Sequence, residues 1–171
     1  MAHAEAHPAG SRFLHNLAHL VPGYHGYRER ERRRDEDSRL RARVLERLSI
    51  IRRTLAGLLE GLAEAGRHSW LDSLDGRAQR LDNVADAIRY APYGFSGFFD
   101  VAFIREDSLE RILEADLMLF EDLDALEQIL EPDGIPSGTG APRREFLDRL
   151  DGIIELFERH LIMRDKILGD A

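Results

Sequence analysis

The chain has 171 residues, 43% hydrophobic and 33% charged, with a net charge of −8 and no cysteine. That length predicts one domain able to bury about two-thirds of its unfolded surface, and the composition lies outside the disordered class and leans toward helices. The acidic balance excludes a global attraction to nucleic acid or anionic lipid, and the missing cysteines exclude disulfides, thiol chemistry and thiolate metal sites.

Residues 1 to 10, MAHAEAHPAG, offer nothing with which to build a core and read as a flexible N-terminus preceding a single helical domain from 11 to 168. They contain no apolar leader, and no run approaches the roughly 18 apolar residues of a membrane span, so the expected location is cytoplasmic. Ser11 is placed to cap a short helix with Phe13, Leu14, Leu17 and Leu20 on one face. Pro22 ends it at Val21, and Pro22 with Gly23 predicts a turn.

From Tyr27 to Ala65 nothing breaks a helix. Leu40, Val44, Leu48, Ile51, Leu55, Leu58 and Leu62 recur at alternating steps of four and three, the seam of a bundle or coiled coil. Such a helix would be roughly 57 Å long at about 1.5 Å per residue. Its first third, Arg28 to Arg39, has no apolar residue at all. Two readings follow: a solvated helical face laced with ion pairs, or an interruption near Asp37 and Ser38. Gly66 supplies a left-handed stop.

Ser69 and Asp72 predict the start of a second long helix, whose seam is Trp70, Leu71, Leu74, Ala78, Leu81, Ala85 and Ile88. The short connection makes these two helices antiparallel. Asp107 and Ser108 predict the cap of a third, with Leu109, Ile112, Leu113, Leu117, Phe120, Leu123, Leu126 and Leu130 inward. A Gly- and Pro-rich connection over 131–142 reads as flexible. A fourth helix follows, with Phe146, Leu147, Leu150, Ile153, Ile154, Phe157, Leu161 and Leu168 inward. The expected fold is all-α: an antiparallel up-down-up-down four-helix bundle with a long first helix, a short N-terminal helix and an aromatic loop cap.

Two segments share a spacing of glycine and aromatic residues. One is Gly23, Tyr24, His25, Gly26, Tyr27; the other is Gly94, Phe95, Ser96, Gly97, Phe98, within YAPYGFSGFFDVAFI from Tyr90 to Ile104. The topology brings both to one pole, gathering Tyr24, Tyr27, Tyr90, Tyr93, Phe95, Phe98, Phe99 and Phe103 there. In one reading they only plug the bundle end. In the other, part of this surface docks a protein partner, with Tyr24, His25, Tyr27, Tyr93, Phe95, Phe98 and Phe99 as anchors and Arg28 and Arg89 as orienting charges.

The GYHGY segment followed by an Arg/Glu-rich helix, together with YAPYGFSGFFD, resembles a set of small uncharacterised bacterial all-helical proteins. The likeness covers Pro22 to Glu121. It implies a fold and a pair of motifs, an association with envelope maintenance, and no chemistry.

Chemical candidates are few. His15 and His19 share a helical face and could chelate a metal, but no third ligand is placed by spacing. Asp116 falls on an inward face within a turn of His160, as a functional couple or as a polar contact that fixes helix register. Ser96 lacks the second glycine and the preceding strand of a nucleophile elbow. The run from Arg28 to Asp37 carries balanced charge rather than the net basic stripe of a nucleic-acid binder. Gly57 and Gly61 permit close helix approach, in bundle packing or at a homodimer face. The sequence therefore predicts a non-enzymatic interaction or scaffold protein without cofactor or metal. Alternatives are a small-ligand or peripheral-membrane module at the same pole, and a metal-binding or catalytic bundle.

Overall fold

A computed structural model describes residues 9–91, 97–136 and 140–170, which are helical and without strands. Five α-helices succeed one another: α1 (Ala9–Leu20), α2 (Arg33–Glu64), α3 (His68–Tyr90), α4 (Glu106–Ile129) and α5 (Ala141–Gly169). Single 3-10 turns stand at Arg30–Arg32, Gly97–Phe99 and Pro132–Gly134. No helix is long and apolar enough to cross a membrane among the described residues.

The expected seams are the buried faces. Leu40, Val44, Leu48, Ile51, Leu55 and Leu62 of α2 join Trp70, Leu74, Leu81, Ala85 and Ile88 of α3, and the apolar stripes of α4 and α5 complete one connected core. Helix α4 packs against α5, α1 and α2, while α3 packs against α2 and α5. These contacts are compatible with a four-helix arrangement carrying α1 on its outside.

Several boundaries differ from the sequence reading, each for a local reason. Helix α1 begins at Ala9, ahead of Ser11. Helix α2 is unbroken through Asp37 and Ser38, but it begins at Arg33 after a 3-10 turn rather than at Tyr27, because the chain through Tyr27 is drawn into the core. Neither α3 nor α4 takes a side-chain cap: Arg67 and Arg105 occupy the capping positions. The turn between α2 and α3 closes instead through the backbone, with Gly66 at φ +69° and the Arg67 N–H on the Leu62 carbonyl at 2.9 Å. The connection expected to be flexible contains the turn Pro132–Gly134, where the Gly134 N–H donates to the Glu131 carbonyl at 2.9 Å. Its residues 137–139 lie outside the described ones, as does most of the expected flexible N-terminus.

The largest departure concerns the apolar-free stretch Arg28 to Arg39. Only part of it is a solvated face: Arg28 to Arg32, Asp35, Ser38 and Arg39 are exposed, but Arg33, Glu36 and Asp37 are buried, as is Arg41 one turn on from Asp37. The core at this end is ionic.

Glycine positions separate two energetic cases. Gly26 sits at φ +77° in the turn after α1, and a Cβ there would come within 2.9 Å of the Leu14 Cδ1 atom. Gly76, within α3, has nothing within 4 Å of such an atom. Gly26→Ala is expected to lower unfolding free energy by about 1–2 kcal/mol through the left-handed penalty. Gly76→Ala should raise it by up to about 1 kcal/mol. Urea unfolding followed by helical circular dichroism checks both.

Candidate functional site

The candidate site is the pole where the two glycine-aromatic segments meet, and a polar turn begins it. Gly23 (φ +74°) and Gly26 (φ +77°) let the chain reverse between α1 and α2, and the Tyr24 N–H donates to the Val21 carbonyl at 3.1 Å. The buried carboxylate of Glu36 accepts the His25 N–H at 3.0 Å, tying the turn to the first part of α2. Tyr24 and Tyr27 then point inward while His25 and Arg28 point out.

Arg33 joins the two segments. Its Nε donates to the Tyr27 carbonyl at 2.8 Å, and its Nη1 donates to the carbonyls of Phe98 (3.2 Å) and Val101 (2.7 Å). Its side chain is buried against the Phe98 ring, 6.0 Å from the centroid. A guanidinium carries five donors in a fixed fork, so one side chain can satisfy carbonyls from both segments. Burial lowers the Arg33 pKa from its ordinary value. Around it the rings of Tyr24 and Tyr27 (5.8 Å), Tyr27 and Phe98 (5.5 Å), and Phe98 and Phe99 (5.6 Å) meet edge to face.

Beneath the rings lies an ion network that links three helices. Arg164 of α5 donates from Nε to Asp116 Oδ1 at 2.5 Å, and from Nη2 to the Tyr27 hydroxyl at 3.1 Å and to Asp37 of α2. Asp116 of α4 also accepts the hydroxyls of Tyr27 (2.8 Å) and Tyr24 (3.3 Å) on Oδ2. Asp37 further accepts Arg41 Nε at 2.8 Å. Two carboxylates and two guanidiniums balance.

Their protonation follows from burial and pairing. Burial pulls the Arg164 pKa down, but attraction from Asp116, Tyr27 and Asp37 outweighs it and holds the group well above its ordinary value. Burial raises the Asp116 pKa, against the opposing pull of Arg164 and the Tyr27 hydroxyl. Tyr24 and Tyr27 are both pushed well above the ordinary 10.0, first by burial and then by neighbouring negative charge. All these groups turn toward one another and are buried, so the network holds helices in register.

The outer surface of the pole carries other groups. Phe103 is 93% exposed and Tyr90 is 75% exposed, standing at the two ends of the aromatic segment. Arg28 pairs with Glu106 at 2.9 Å, Arg34 with Asp100 at 2.9 Å, and Arg89 with Asp86 while lying 6.0 Å from the Tyr90 ring centroid.

The structure thus brings together Tyr24, Tyr27, Phe98 and Phe99 among the expected contact residues, with their rings buried against one another. It leaves His25, Arg28 and Arg89 at the surface. Tyr93 and Phe95 lie outside the described residues, as does Ser96. Asp116 is buried as its place on the seam implied, but its partner is Arg164, one turn beyond His160. His160 instead places Nδ1 2.6 Å from Asp122 Oδ2. His15 and His19 approach to 3.2 Å between Nε2 atoms on the surface of α1, and no group of three metal-ligating side chains occurs among the described residues. Sequence reasoning missed Arg33, Asp37 and Arg164. The available signal was the absence of apolar residues from a stretch that the seam required to face inward.

Two outcomes are expected. Arg164→Ala should cost about 3–5 kcal/mol by leaving the buried Asp116 carboxylate without a guanidinium and Asp37 with Arg41 alone, whereas Arg28→Ala should change stability by less than about 0.5 kcal/mol; chemical denaturation measures both. For the tyrosines, folded pKa values above 10.0 mean that the folded state retains protons that the unfolded chain has lost. Stability contributed by Tyr24 and Tyr27 is therefore complete below 10.0 and falls as pH rises beyond it. Denaturation midpoints measured across that range should fall less steeply in Tyr24→Phe than in the wild type.

Comparison with known proteins finds no matching family model, curated protein or solved structure for this chain.

Proposed function

We propose that this chain is a non-enzymatic interaction or scaffold protein that docks a protein partner at the aromatic pole. Helices α2 to α5 are read as an antiparallel up-down-up-down bundle, with α1 laid against α4 and the two glycine-aromatic segments capping one end. The cytoplasm and an envelope-related role are the setting that the sequence suggests.

The observation that carries this reading is the exposure of Phe103 and Tyr90 beside a rigidly anchored ring cluster. An aromatic ring left in water forgoes about 25 cal/mol for each Å² of apolar surface that burial would remove. Such rings are the side chains that dominate protein interfaces once desolvated. Tyr24, Tyr27, Phe98 and Phe99 then serve as the platform rather than as the contacting surface, and His25, Arg28 and Arg89 rim it. Arg33 supports this division of labour by fixing the backbone of both segments from within.

Photo-crosslinking tests the reading. A crosslinker at position 103 or 90 should capture a discrete protein partner that one at Ile162, an exposed apolar position on α5, does not capture. Phe103→Ala with Tyr90→Ala should reduce partner recovery at least about tenfold, a loss of roughly 1.4 kcal/mol. Equal capture from all three positions, or co-sedimentation with lipid vesicles in place of a protein crosslink, would replace this reading with nonspecific contact or with the peripheral-membrane alternative.

A further inference from the structure

Away from the aromatic pole, the second half of α2 carries a groove of about 540 Å³ on its outer side. Thr54, Gly57, Gly61 and Ala65 form one wall, and Leu130, Pro132 and Ile135 form the other. Leu58 and Leu62 also line it, as does Arg67, which donates from Nη2 to the Pro136 carbonyl at 2.8 Å, and the one hydroxyl in the helical wall is already used, since Thr54 Oγ1 donates to the Ile50 carbonyl at 3.2 Å. A Cβ added at Gly57 or Gly61 would meet nothing within 4 Å. No packing among the described residues therefore explains two glycines that each cost the helix about 1 kcal/mol relative to alanine.

The same helix bears a ridge that fits this recess. Ile50, 41% exposed, precedes Thr54, Gly57, Gly61 and Ala65 at helical steps of four, three, four and four, so all five share one face. Arg53, Glu60 and Glu64 border that face, exposed, and make no ion pair or hydrogen bond among the described residues. The neighbouring Arg52, by contrast, is paired with Asp82, and Arg47 with Asp124 and Glu127.

We infer that the groove is filled by a second copy of this chain, with α2 packed antiparallel on α2 about a two-fold axis at Gly57. Residues equally distant from Gly57 in opposite directions then stand level across the interface. Ile50 of one copy stands level with Glu64 of the other, on the side that faces the recess between Gly61 and Ala65. Arg53 stands level with Gly61 of the other copy, within about one 1.5 Å step of Glu60. Each Arg53 thereby gains a carboxylate partner, and the two-fold axis repeats the pair. A two-fold interface must be complementary to itself, and this face supplies knob, hole, cation and anion from one helix. The glycines let the two backbones approach closely enough for the exchange. The inference is independent of the aromatic pole, which lies at the other end of α2.

Sedimentation equilibrium over a concentration series is the test. The wild type should dimerise. Gly57→Gln combined with Gly61→Gln should sediment as a monomer while keeping its helical circular dichroism, because the added side chains enter open space within the monomer. Arg53→Glu should weaken the dimer at least about tenfold, or roughly 1.4 kcal/mol, and Arg53→Glu with Glu60→Arg should restore most of the affinity. A wild type that remains monomeric at every concentration overturns the inference. So does a Gly57→Gln, Gly61→Gln variant that dimerises as tightly as the wild type, or a charge-swapped pair that fails to recover.

Discussion

A single guanidinium, that of Arg164, holds the positions of three helices. It reaches from α5 into the core between Asp37 of α2 and Asp116 of α4, and also meets the hydroxyl of Tyr27. Removing such a charge from water costs several kcal/mol, which only close pairing and further hydrogen bonds can offset. Asp116 and Asp37 each accept additional donors, so the offset is available in one arrangement of the helices. Apolar seams tolerate small slips along the helix axis. A forked cation between two carboxylates does not, and α2, α4 and α5 are thereby fixed in depth as well as in direction.

From that fixed point the aromatic pole is assembled outward. Tyr24 and Tyr27 reach down to Asp116 with their hydroxyls; the Tyr27 ring packs outward against Phe98 and the Tyr24 ring against Tyr27, while Arg33 ties the backbones above them together. The rings thus act as struts between an ionic core and a folded loop. This explains why a helix can begin with a run of arginine and glutamate side chains and still be buried: Arg33, Glu36, Asp37 and Arg41 are the polar counterparts of the loop carbonyls, the turn amide and the Arg164 fork. It also explains why so little of the aromatic content reaches the described surface of the pole.

The molecule therefore presents two unlike surfaces. One is a rigid pole rimmed by paired charges and two exposed rings. The other, along the second half of α2, is a largely apolar recess bordered by Arg53, Glu60 and Glu64, which make no ion pair among the described residues. The first is stiffened by the buried network, and the second depends on what α2 lacks, namely side chains at Gly57 and Gly61.

The amino-acid sequence alone determined the helical character of the chain, most of the inward-facing apolar residues though not Val84, Ala115, Leu119, Ile129 or Ile167, and the turn at Gly66, because these follow from local periodicity and backbone sterics. It also implied the meeting of the two glycine-aromatic segments, through the alternation of helix direction. It could not determine that Arg33, Glu36 and Asp37 turn inward, since the same charges are equally suited to a solvated face until a partner is supplied from far along the chain. Arg164 lies 127 positions after Asp37, and no local pattern marks it. The choice between His160 and Arg164 as the companion of Asp116 was likewise decided by the tertiary structure: the two lie one turn apart on α5, and the depth at which α5 packs selects the longer side chain.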